Sequence, residues 1–455
     1  MKNEFSYIDL FSGCGGLSLG LEDAGFKLEL AVEKSEMAAE TFFHNFISEK
    51  TTNINWNDFI STRKSVVEQA KYKLVVSELK NVLESKELIK KLKEKDIDLV
   101  AGGPPCQGFS MAGKRNPDDI RNQLPWQFLD FVKMVNPKAV LIENVSGIQQ
   151  NFVKHNKDAP FQQLKIALSN LGKGYVVQSL TLNAMHFGVP QHRPRAVLLG
   201  IRNDIAKSLN INTTEEIWRS EFDQEKRVST RPTLAPLATH FGKNIKTVEE
   251  ALGDLFINKV KKRQPKVSIK NHILRKHSEN TILRFRLYQY LKNNNISTKI
   301  LNIPSEIGPD INTKITHLKD LLKGATIPAI SPDGYKLAST TKELASLIIQ
   351  LATKKHSQRP LKLDSPSPTV VSIPDDFIHP CEPRTLTVRE MARLQSFPDS
   401  FEFYAKETTG GVKRKTEVPQ YTQVGNAVPP LLGKAVGKVL YDLLSTEKSI
   451  KKNRK

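Results

Sequence analysis

Three cysteines in 455 residues, Cys14, Cys106 and Cys381, are too few for a disulfide framework, and a reducing cytosol is the expected setting. No apolar run is long enough to cross a bilayer, and no secretory signal follows the charged start Met1-Lys2-Asn3-Glu4, so a membrane role is not expected. Cysteine and histidine nowhere fall at zinc spacing, so no metal is expected. Internal repeats are absent as well. Acidic side chains are in deficit: 48 Asp and Glu against 68 Lys and Arg leave a net charge of +20 and a pI near 9.6. The excess points to a polyanion as partner, nucleic acid before membrane, because no basic amphipathic anchor stands out. What is present is an ordinary 39% of hydrophobic residues, enough in a chain of this length for a large core and two or three domains.

Hydrophobic patterning in the first part alternates strands with helices. An apolar strand over residues 7–11 runs into the turn Ser12-Gly13-Cys14-Gly15-Gly16, and a helix with Leu17, Leu21 and Ala24 on one face stops at Gly25. A strand over 28–32 ends in Glu33, and a helix over 35–45 follows. Residues 65–95 carry leucines at helical spacing among lysines and glutamates, and predict an inserted surface helix or helix pair. Further strands are expected over 97–101, 139–142, 175–182 and 196–201. The alternation predicts the α/β class, a doubly wound and mostly parallel sheet of Rossmann-like type. Past Asn203 the periodicity fades and basic clusters appear, among them residues 259–263 and Arg275-Lys276-His277. The expected division is a catalytic unit over 1–203, a smaller basic domain over 204–355, and a segment over 356–455 that returns to the first unit and ends in a frayed, charged tail.

Four places carry chemistry. In Gly102-Gly103-Pro104-Pro105-Cys106-Gln107-Gly108-Phe109-Ser110 a strand delivers Cys106 onto a loop stiffened by two prolines, as a nucleophile requires, although a lone cysteine in a tight turn also has a plain structural use. The first glycine turn, with Glu33 about twenty residues past Gly13, suits a ribose-bearing cofactor. Its glycines do not follow G-x-G-x-x-G, which disfavours a pyrophosphate and favours adenine and ribose without phosphate. Glu143 closes an apolar strand, where a partly desolvated carboxyl stays protonated and serves as an acid, or else braces a loop. In Gln191-His192-Arg193-Pro194-Arg195 the two arginines alternate, so both would point one way as clamps on an anion or carbonyl, or lie along a solvated edge.

Taken together the segments resemble the DNA (cytosine-5)-methyltransferases of bacterial restriction–modification type. DLFSGCGG (9–16), Glu33, GGPPCQGFS (102–110), ENV (143–145), QHRPR (191–195), RTLTVREMARLQSFPD (384–399) and QVGNAVPP (423–430) occur in that family's order at both ends of the chain. The basic middle is left over, and in the family it is the variable target-recognition domain. The resemblance implies S-adenosylmethionine as cofactor. Phe11 would pack on its adenine, Ser12, Gly13, Gly15 and Gly16 would line its methionine part, and Glu33 would take its ribose. Asp58 would contact the adenine amine, Pro104 would line the site, and Asn426 and Ala427 would close it. Lys34 stands where an aromatic is common. Cys106 would attack carbon 6 of a cytosine flipped out of double-stranded DNA, Glu143 would protonate ring nitrogen 3, and Arg195 with Arg193 in support would hold the carbonyl at position 2. The implied enzyme acts in the cytoplasm near the nucleoid as a monomer, with a cognate restriction endonuclease acting separately. The alternatives are a tRNA cytosine-5 methyltransferase, a nicotinamide-dependent oxidoreductase and an inactive DNA-binding module. The long basic middle disfavours the first, and the trio Cys106, Glu143 and Arg195 disfavours the other two.

Overall fold

The computed structural model describes residues 4–47, 54–61, 65–105, 123–150, 159–256, 269–353 and 357–453. Its centre is an eight-stranded sheet built from β1 (Phe5–Leu10), β2 (Phe26–Glu33), β3 (Leu74–Val76), β4 (Leu99–Gly102), β5 (Ala139–Val145), β6 (Tyr175–Asn183), β7 (Pro194–Arg202) and β8 (Trp218–Arg219). The spatial order is β3-β2-β1-β4-β5-β7-β6-β8. Neighbours from β3 to β5 are parallel, while β7 runs antiparallel to both β5 and β6. Alternation along each strand feeds two cores. Ile8, Leu10, Val100, Val140 and Ile142 face one side, under the helices Leu124–Val135 and Pro160–Ser169. Tyr7, Leu99, Ala101, Leu141 and Leu199 face the other, under Gly16–Ala24, Glu36–Phe46 and the C-terminal helix Pro430–Asn453. Near-continuous apolar strands follow from cover on both faces, and the doubly wound expectation holds.

Three expectations change. Residues 65–95 are not only surface helices, because between Val66–Ala70 and Leu79–Glu84 the chain contributes β3 to the sheet edge. A strand of three residues is too short to show a period. The boundary at 203/204 also moves. Trp218 on β8 and Leu234, Val248, Leu252 and Phe256 belong to the main core. A separate core starts later, in the helices Glu279–Asn293, Ile311–Leu321 and Thr341–Gln350 with the hairpin Ala329–Ile330/Lys336–Ala338. Residues 204–256 lack periodicity because their short elements pack onto a core that already exists. The tail is also ordered further than expected, since the final helix reaches Asn453.

That final helix covers the first one at close range. A Cβ on Gly20 would lie 2.4 Å from the Pro430 carbonyl oxygen and 2.5 Å from the Lys434 nitrogen. Gly433 and Gly437 face Leu17, Gly20 and Leu21 from the other side.

Candidate active site

The parallel strands aim their carboxyl ends at one edge, the place where such sheets gather functional groups. After β1 the backbone enters left-handed conformations at Phe11, Gly13 and Gly15, with φ of 60°, 56° and 100°. The Ser12 N–H donates to Val32 O (3.1 Å), which ties the turn to β2. Glu33, the last residue of β2, completes the tie: Oε2 accepts the Gly13 N–H (2.8 Å) and Oε1 accepts the Ser35 N–H (2.7 Å). Burial raises its pKa, and those two N–H groups pull it back. Gly16 opens the first helix against the C-terminal segment, where an added Cβ would lie 2.3 Å from Val428 O and 3.2 Å from Ala427 Cβ. Ala427 is therefore packed at the turn, while Asn426 next to it is exposed. Phe11 is partly buried against the second core.

Two polar atoms at this turn lack partners among the described residues, Asp9 Oδ1 and Ser12 Oγ. Asp9 is 1% exposed, and its other carboxyl oxygen accepts from the Ser18 hydroxyl (2.6 Å). Burial pushes its pKa up to about 7. A ligand carrying positive charge and N–H donors would relieve both atoms, whereas a pyrophosphate would set like charges beside Asp9 and Glu33. The turn therefore fits the cationic, phosphate-free S-adenosylmethionine. Asp58 is placed elsewhere than expected: it is exposed on the helix Trp56–Ser61, where the Asn55 Nδ2 donates to it (2.5 Å). The acidic side chain that follows the strand beside Glu33 is Glu78, paired with Lys34 at 2.6 Å, and the Ser77 N–H donates to Glu33 O (3.0 Å).

Beside β1, β4 ends in Gly102, whose Cβ would lie 2.2 Å from Leu10 O, so only glycine passes here. Gly103 lies against Glu143, its added Cβ 3.1 Å from Oε2. The Asn144 amide Nδ2 donates to Pro104 O (2.9 Å) and so fixes the start of the loop that carries Cys106. Cys106 itself lies outside the described residues. Glu143 is buried near the end of β5, and its Oε1 is 3.0 Å from Arg195 Nε on β7. The antiparallel register sets Val145 opposite Arg195, so the two side chains meet across adjacent strands. Burial raises the pKa of Glu143, while Arg195 and Arg193 pull it down.

The expected pair of arginine clamps separates. Arg195 meets Glu143, but the Arg193 guanidinium turns to carbonyl oxygens of Val370, Gly425 and Ala427. The two-residue alternation fails because β7 begins only at Pro194, which leaves Arg193 in the preceding turn. Sequence reasoning also missed the buried amides Gln191 and Gln395, which bond to each other at 2.8 Å. A glutamine carries no charge to mark it, and only the contact across 204 residues reveals its use.

The edge thus offers a polar, acidic turn beside a buried acid, an arginine and the approach to a cysteine. A family model described as "C-5 cytosine-specific DNA methylase" matches residues 5–442. The type II methyltransferase M.DdeI of Desulfomicrobium norvegicum is 30% identical over 432 residues, covering 94% of this chain and 86% of the relative. M.XorII of Xanthomonas oryzae pv. oryzae, also a type II methyltransferase, is 32% identical over 434 residues, covering 94% and 83%. A crystal structure of a putative DNA modification methyltransferase encoded within an Escherichia coli prophage aligns over 97% of this chain and 99% of its own, with a TM-score of 0.54 and 25% identity. The match extends from β1 into the final helix, and on it the chain belongs to the C-5 cytosine-specific DNA methylases, enzymes that depend on S-adenosylmethionine.

Proposed function

We propose that this chain is the modification enzyme of a type II restriction–modification system, methylating carbon 5 of a cytosine flipped out of double-stranded DNA through a transient bond to Cys106. One observation carries the reading. Glu143 is buried 3.0 Å from Arg195 and against Gly103, and its neighbour Asn144 grips Pro104, two residues before Cys106. Glu143, Arg195 and the residues that lead into the Cys106 loop therefore share one edge.

Carbon 5 of cytosine is a weak nucleophile, and the groups of this edge answer that weakness. The Cys106 thiolate adds to carbon 6, forming the S–C6 bond and moving the C5–C6 electron pair into the ring. Negative charge builds toward nitrogen 3, where Glu143 in its protonated form delivers its proton. Arg195 donates to the carbonyl oxygen at position 2. Phe11, Ser12, Gly13, Gly15, Gly16, Glu33, Pro104, Asn426 and Ala427 would hold S-adenosylmethionine, whose sulfonium would supply an electrophilic methyl to carbon 5 and leave as the thioether S-adenosylhomocysteine. A water molecule takes the carbon 5 proton, the released electron pair restores the C5–C6 double bond, the S–C6 bond breaks with Cys106 leaving as thiolate, and Glu143 recovers its proton from nitrogen 3. Glu78 takes the place expected for Asp58 at the adenine end, since it stands at the strand end beside Glu33.

None of these groups reaches a cytosine inside a duplex, so the base must leave the stack. DNA as substrate is supported by the charge distribution. Within residues 257–356 fall 19 of the 68 lysines and arginines but only 6 of the 48 acidic residues. Mapping 5-methylcytosine in plasmid DNA from cells expressing the protein tests the reading. One defined methylated motif is expected; unmethylated DNA together with methylated tRNA would overturn it.

A further inference from the structure

Arg193 is 2% exposed and bonded to uncharged oxygens. Its Nη1 donates to Val370 O (3.0 Å) and Gln191 Oε1 (3.3 Å), and its Nη2 to Gly425 O (2.8 Å) and Ala427 O (3.0 Å). A cation held out of water on neutral acceptors is a costly way to fill space. Gln191 extends the bonds. Its Oε1 accepts the Val370 N–H (2.8 Å), and its Nε2 donates to Leu394 O (3.0 Å) and to Gln395 Oε1 (2.8 Å). Gln395 Nε2 in turn donates to Val424 O (2.7 Å).

The two ends of this network lie at the two halves of the site. Two residues beyond Arg193 stands Arg195, on Glu143. Ala427, which Arg193 holds by its carbonyl, packs on Gly16 at the start of the first helix. We infer that Arg193 is a positioning residue that couples cofactor binding to base binding, because its guanidinium fastens the segment 424–427 to the turn that leads into β7. The inference rests on the cofactor and cytosine assignments proposed above. A ligand that settles Ala427 against Gly16 settles the start of β7, and with it the Arg195–Glu143 pair. By linkage, a base seated on that pair favours the closed cofactor turn by the same factor.

Calorimetry on the full chain tests this with S-adenosylhomocysteine as probe, alone and with saturating unmethylated plasmid DNA. The ratio of the two dissociation constants is expected to be about 5 to 100 in the native protein. It should fall to within about twofold of one in Arg193→Lys, whose single head cannot span four acceptors, and in Gln395→Met, which keeps volume but loses the donor. Arg389→Lys is the control. Arg389 is equally buried on carbonyls of Lys270, Pro398 and Phe401, none of which belongs to this network. Should Arg193→Lys not fold, Gln395→Met decides alone. A ratio near one in the native protein, a ratio kept in either folded variant, or an equal loss in Arg389→Lys would overturn the coupling. Failure of the probe to bind the native protein at all would instead overturn the cofactor reading beneath it.

Discussion

The proposed mechanism needs Glu143 neutral when the base arrives and charged after it has given its proton up, and its surroundings pull both ways. Burial lifts its pKa, whereas Arg195 at 3.0 Å and the nearby Arg193 lower it, with burial the larger influence. The sign of the pH dependence follows. A raised pKa keeps the acid protonated to higher pH, so turnover should fall as pH rises through that value. Glutamine, neutral at every pH, should abolish this limb of the profile and slow turnover by about 10² to 10⁴. Glu143→Gln that keeps the native rate and profile would remove the acid role. Cys106→Ala makes the complementary case: methyl transfer should drop below detection while S-adenosylhomocysteine affinity changes by less than about twofold, since the thiol serves only the bond to carbon 6. Full activity in that variant would end the covalent mechanism.

At the scale of elements, glycines let the first and last helices touch backbone to backbone. Gly20→Val would push a side chain into the Pro430 carbonyl and the Lys434 nitrogen, both main-chain atoms that cannot swing aside. A loss of about 1 to 3 kcal/mol in urea unfolding is expected, and a stability within error of the native value would show that the helices separate freely. This contact also marks the limit of what the chain discloses as text. Strands buried on both faces, such as β5 and β7, announce themselves by composition, and their apolar cores at 139–142 and 196–201 were legible while their ends, out to Val145 in β5 and to Pro194 and Arg202 in β7, were not. β3 and β8, three and two residues long, were not, because their pairing is decided by neighbours distant in sequence. The site divides in the same way. Glu33, Glu143 and Arg195 sit at or beside strand ends where residue type and position agree. Arg193 carried the right motif with a different use, since its side chain is oriented by carbonyls that lie up to 234 residues away.

Over the whole molecule, charge and core are distributed differently. The main sheet takes its cover from residues on both sides of the basic middle, while the basic excess is densest just ahead of the second core, which is formed largely within residues 285–351: residues 259–286 hold 10 of the 68 lysines and arginines and a single acidic residue, Glu279. Affinity for DNA should therefore be governed by phosphate contacts. If six or more are made, it should weaken on the order of 10³-fold between about 50 and 200 mM salt. Filter binding across that range checks it, and a salt-independent affinity would remove the basic middle as the DNA-facing part. The cover of the first helix by the last has a consequence in time. Residues 16–24 leave the ribosome roughly 20 to 80 s before residues 430–453, at about 5 to 20 residues per second. Throughout that interval the side of residues 16–24 that packs on Gly433 and Gly437 lacks its cover. Until then the turn at Gly16 lacks Ala427 and Val428, and on the proposed function each newly made molecule would begin to modify DNA only after its final helix has emerged.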